Sequence, residues 1–155
     1  MRQRARGAAM TAPRSAADGA APVGATGMAP DLAALRDLGE RALATLPEPF
    51  RLAAREVRLH VAEIADDATC RSLGIDDPYE LTGLYDGVAL TLRSIGDSGD
   101  MPATIWLYRR AILLEWIERG DVALEALVAH VVVHELAHHL GWSDEDIAEI
   151  DRWWE

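Results

Sequence analysis

Residues 122–140 form the longest helical run in the sequence, and that run is apolar on nearly every face. Leu124, Leu127, Val128, Val131, Val132, Val133, Leu136, Ala137 and Leu140 spread around the full circumference of a 3.6-residue repeat. A helix without a polar face has to be buried, so the rest of the chain must be arranged to cover it. Inside this run stand His134, Glu135 and His138. Burying two imidazoles and a carboxylate costs several kcal/mol unless they are paired or bind a metal.

Their spacing selects the metal. Two His four residues apart lie one turn apart on one helical face, so both imidazoles reach the same ion. Glu135, beside the first His, reaches a water on that ion, which is the H-E-x-x-H arrangement of zinc hydrolases. The pattern continues as H-E-x-x-H-x-x-G-x-x-D through Gly141 and Asp144. A glycine at 141 suits a left-handed turn that ends the helix and returns the chain, carrying Asp144 to the third ligand position. Asp144 has a second reading. Ser143 and Asp146 form a helix-capping pair, which makes Asp144 a first-turn acid favoured by the helix dipole. The two readings are compatible.

Composition narrows the partners. The 155 residues carry 26 acids against 15 bases, a formal net charge of -11, which argues against nucleic acid and anionic membranes. A chain of this length makes one domain. The single cysteine, Cys70, allows no internal disulfide and no cysteine metal cluster, and is expected to be a small buried residue. No apolar run is long enough for a transmembrane helix. Residues 1–29 are rich in Ala, Gly, Pro and Arg and lack the apolar content to pack, so they are expected to be disordered, with the domain proper at 30–155. No signal-peptide core follows the Arg residues, so the expected location is cytoplasmic.

Along the chain, leucines at helical spacing predict an amphipathic helix over 31–46, stopped by Pro47. A short helical turn follows at 49–54. Val57, Leu59 and Val61 alternate with Arg58 and His60, a half-buried strand that leaves His60 outside. A short helix at 68–73 ends at Gly74. The pair Asp86-Gly87 reads as a turn leading into a strand at 88–93, followed by a polar loop at 95–101. A strand is expected over 104–109, with Trp106 and Tyr108 on one face and Ile105 and Leu107 on the other. A helix at 111–118 ends at Gly120, Asp121 is expected to cap the long helix, and a last helix spans 144–154.

Three stretches resemble a known family, the minimal zincin-like metallopeptidases, small bacterial domains of about this size. They are Ala44-Thr45-Leu46-Pro47-Glu48-Pro49-Phe50, the run from Gly83-Leu84-Tyr85-Asp86-Gly87 to Ser94, and the run from His134 to Asp144. The likeness covers about residues 31–150, and the last stretch is the specific one. It implies an α+β fold with a small mixed sheet beside a buried metal-carrying helix, zinc on His134 and His138, and Asp144 as the matching third ligand. His130 and the long N-terminal extension depart from the pattern. The larger zincin plans that use a Glu on a second helix need more than the seventeen residues that follow His138, and those with a Met-turn need a methionine beyond Met101. A pared-down site is therefore expected.

The leading expectation is a zinc-dependent peptidase acting on a peptide or protein substrate, with His134, His138 and Asp144 on zinc and Glu135 as general base. The strand at 104–109 is expected to pair with extended substrate at a sheet edge. Tyr85, Tyr108 and Arg109 are weighed as oxyanion donors, with packing or surface charge the favoured reading for each. The rival is a non-catalytic protein- or peptide-binding module with a structural or vestigial zinc site, which a fourth protein ligand, for example His130 or His139, would favour. His130 lies one turn before His134, and its alternative is an ordinary histidine at the rim. His139 points away from His134 and is expected to orient another group or cap the helix end.

Overall fold

The computed structural model describes residues 28–90 and 102–150, with the side chains of 148–150 left aside. Helix α1 spans Leu32–Ala44 and α2 spans Phe50–Ala54; strand β1 spans Arg58–Ala62 and helix α3 spans Asp67–Leu73. A 3-10 turn at Pro78–Glu80 leads to strand β2, Gly83–Asp86. Strand β3 at Thr104–Tyr108 runs straight into α4, Arg109–Arg119, followed by α5 at Leu124–His139 and α6 at Asp144–Ile150. Residues 1–27 of the expected disordered segment, the expected loop at 95–101 and the tail of the last expected helix, 151–154, lie outside the described residues.

Among the described residues the three strands make one mixed sheet in the order β1-β3-β2. β3 pairs parallel with β1, Leu59 opposite Ile105, and antiparallel with β2, Leu84 opposite Trp106. Alternation sends Ile105 and Leu107 to one face and Trp106 and Tyr108 to the other. The first face packs on α5 and α1, where Leu35, Val128, Val132, Ile105 and Leu107 are completely buried. Full burial of each such side chain contributes about 1.5–3 kcal/mol. From Leu127 to Leu140 no residue of the long helix is exposed, as its apolar circumference requires. The opposite face joins Leu84 and Tyr108 to Leu81, Cys70 and Leu73 beneath α3 and α4.

Three expectations are corrected. The second strand is Gly83–Asp86, on the stretch that reads as a turn; Val88 and Ala89 are in no strand, and residues 91–93 of the expected strand lie outside the described residues. Asp121 does not cap α5, whose N-cap is Ala123 without a side-chain bond. The Trp116 indole N–H instead donates to the Val122 carbonyl at 2.8 Å and fixes the chain just before the helix. Finally, β3 is the central strand, hydrogen-bonded on both sides, so it has no edge for a substrate to join. Its last residue is Tyr108, because Arg109 already opens α4. Among the described residues no helix is long and apolar enough to cross a membrane.

Candidate metal centre

Helix α5 presents His134 and His138 on one face with ring centroids 5.0 Å apart. The helix then stops in a paired C-terminal turn. Trp142 N–H donates to the Ala137 carbonyl and Gly141 N–H to the His138 carbonyl, both at 3.0 Å. Gly141 holds the left-handed position, φ 92°, which disfavours any residue with a β-carbon. The reversed chain enters α6 through a reciprocal cap. Ser143 N–H donates to Asp146 Oδ2 at 2.9 Å, and Asp146 N–H donates to Ser143 Oγ at 3.2 Å. Asp144, first in α6, thereby faces the two histidines. Its Oδ1 lies 3.1 Å from His138 Nε2 and 3.4 Å from His134 Nε2, so the cap and the approach are present together.

Neither contact has hydrogen-bond geometry. Among the described residues, His134 Nε2, His138 Nε2, Asp144 Oδ1 and Glu135 Oε2 are buried without a hydrogen-bond partner. Each buried polar atom left so costs about 1–3 kcal/mol. One donor atom from each of His134, His138 and Asp144 falls within 4.8 Å of the others. Tetrahedral zinc with bonds of about 2.0–2.2 Å sets its ligand atoms about 3.3–3.6 Å apart, close to the two spacings observed. The residues therefore fit a small nitrogen- and oxygen-liganded cation.

Neighbouring groups aim the donors. His138 Nδ1 donates to the Trp142 carbonyl at 2.9 Å, which turns the Nε2 lone pair toward Asp144. Burial pushes the His134 imidazole below its usual range, the nearby His138 adds to this, and Asp144 opposes it; a neutral ring keeps its lone pair for a metal. Glu135 is 2 % exposed. Burial pushes its carboxyl up to about 8, against a backbone hydrogen bond donated by Tyr85 and with a smaller upward contribution from Asp144.

That Tyr85 amide comes from β2, which lies against α5 because residue 83 has no side chain. A β-carbon there would sit 2.5 Å from Val131 Cγ1 and 3.3 Å from Glu135 Cγ. The Tyr85 hydroxyl donates to the Val88 carbonyl at 3.1 Å and lies 2.7 Å from His139 Nδ1. His139, fully buried, has its Nε2 3.9 Å from Glu56. It thus points away from the three converging donors and toward Tyr85. His130 is outside that group too, its ring centroid 6.5 Å from that of His134. Arg109 is held elsewhere, donating to the Pro30 carbonyl at 2.6 Å and to Glu63 at 3.0 Å. Tyr108 packs in the cluster on the far face of the sheet.

The profile of the zincin-like metallopeptidase family matches residues 54–154, from the end of α2 past α6. The chain belongs to this family. The family implies a metal, and His134, His138 and Asp144 form a possible site for it. No individually curated protein matches the chain. In this zincin-like domain, sequence reasoning overlooks the residues that support the site without touching it: the Tyr85 amide, the Trp142 carbonyl and Gly83. Each acts through its backbone, which leaves no mark in residue type. Gly83 alone carries a signal, a glycine within an otherwise apolar stretch.

Proposed function

We propose that the chain is a zinc-dependent peptidase in which His134, His138 and Asp144 hold the ion and Glu135 moves the proton. The observation that carries this is the set of buried, partnerless atoms His134 Nε2, His138 Nε2, Asp144 Oδ1 and Glu135 Oε2. Bound zinc supplies a Lewis acid that polarises a carbonyl and brings the pKa of a water to ~7. Glu135 would take the proton from the attacking water as the water oxygen bonds to the peptide carbonyl carbon. The same carboxyl then returns the proton to the departing amine as the C–N bond breaks. The Tyr85 amide fixes one side of the group and leaves Oε2 for the transfer.

With three protein ligands, a tetrahedral zinc would keep its fourth position for the reaction, the mark of catalytic rather than structural zinc. A binding module with closed zinc needs a fourth ligand, and the positions of His130 and His139 speak against both as that ligand. The test is metal content together with hydrolysis. The purified protein is expected to hold about one zinc per chain and to cleave unfolded protein substrates, while Glu135→Gln keeps the zinc and loses cleavage. Full hydrolysis by Glu135→Gln, in a preparation shown free of other proteases, removes the mechanism.

A further inference from the structure

On the sheet face turned away from α5 there is a cavity of about 200 Å³. Leu84, Trp106 and Tyr108 line it, Asp66 and Asp86 contribute the acids, and Tyr85 joins it to the metal centre through the amide bonded to Glu135. Its volume exceeds by far the ~15 Å³ that one water needs and falls below the roughly 300–1,000 Å³ of pockets for whole small molecules. That is room for a single side chain.

The chemistry of the lining sets the charge of its occupant. Trp106 and Tyr108 stand with ring planes 7° apart and centroids 6.5 Å apart, an aromatic wall. Two carboxylates accompany it, and among the described residues no basic side chain lines the space. Hydrogen bonds from the Thr69 side chain and backbone hold the Asp66 carboxyl below its usual range, so it stays ionised. Burial pushes the Tyr108 hydroxyl up, and Asp66 and Asp86 push it further, as a negative field around the ring requires. An aromatic face bordered by carboxylates attracts a cation and disfavours an anion.

We propose that this cavity is a binding pocket for a basic side chain, arginine or lysine, of the peptide substrate. The proposal rests on the peptidase reading for the word substrate, and the two are separable by experiment. Zinc-loaded Glu135→Gln protein is titrated with capped hexapeptide pools, each with one position fixed as Arg, Lys, norleucine or Glu. At one position the Arg and Lys pools are expected to bind about tenfold more tightly than the norleucine pool, with Glu weakest. Asp86→Asn and Trp106→Leu, each added to the silenced protein, are expected to cut that preference to within about threefold while norleucine binding is kept. Asp86 is exposed, so its amide isostere leaves packing alone even where loss of the Trp106 ring disturbs the fold. Equal binding or none at every position, or a preference for bases that both variants retain, overturns the pocket. Cleavage of the same pools by the unaltered protein is read separately. Cleavage without preference for a base removes the pocket and keeps the peptidase. Base-selective binding lost in the variants, without cleavage, keeps the pocket and removes the peptidase.

Discussion

Glu135 carries two properties that pull in different directions, and substitution separates them. Its carboxyl is the proposed base, and it is also a buried group with an uncommonly high proton affinity. Glu135→Gln is expected to lower hydrolysis by about 10²–10⁴-fold with zinc content unchanged; His138→Ala removes a proposed ligand and is expected to lower zinc content as well, which elemental analysis distinguishes. The second property shows in chelator-treated protein. The folded chain holds the Glu135 proton up to about 8, whereas the unfolded chain releases it near 4.5. Between those values the folded state binds the extra proton, so stability falls as pH rises. His134 acts oppositely, since its folded value is lowered and stability grows as pH climbs to 6.5. Above 6.5 the Glu135 contribution remains, and the urea midpoint is expected to drop between pH 6.5 and 8. Glu135→Gln, which stays neutral, is expected to flatten that drop; a slope that survives the substitution belongs to another group.

At the scale of elements, the fit of β2 on α5 decides whether the base is aligned. Gly83→Ala places a methyl 2.5 Å from Val131 Cγ1, so the strand and helix must separate. The expected cost is about 1–3 kcal/mol in urea unfolding, with kcat reduced because the Tyr85 amide moves with its strand. Adding Val131→Ala is expected to recover part of both, a coupling that a double-mutant cycle measures. Ser143→Ala undoes the cap that starts α6, for about 1 kcal/mol of stability, and is expected to weaken zinc binding without touching a ligand, since Asp144 sits one residue on. These two junctions also mark what the sequence makes legible. His134, Glu135, His138, Gly141 and Asp144 stand out because one helix and its reversal place them all, and local periodicity is written in residue order. The strand at Gly83–Asp86 is hidden because its first glycine answers to a methyl on α5 nearly fifty positions away. The start of α5 is hidden for a different reason: a side-chain bond from α4, the Trp116 indole on the Val122 carbonyl, fixes it instead of an Asp121 cap. The central place of β3 follows from strand order, which no single segment encodes.

For the whole molecule, the proposed zinc would be a stabilising ligand as well as a reagent. Zinc at a hundredfold excess over its dissociation constant adds about 2.7 kcal/mol to the folded state. In a domain of this size that raises Tm by about 5–10 °C, and EDTA is expected to remove the gain in calorimetry. The three converging donors, however, all come from residues 134–144, whereas the amide that steadies the base arrives from Tyr85, about fifty residues earlier. The chelating loop is short and needs only α5 and its turn, so its closure costs little entropy; the base depends on a long-range strand contact. As urea loosens the sheet, hydrolysis should therefore fade before zinc is released. Metal stoichiometry then overcounts the working molecules in an aged or partly denatured sample, and the difference between bound zinc and turnover measures how many chains have kept their grip on the ion but lost the alignment of their base.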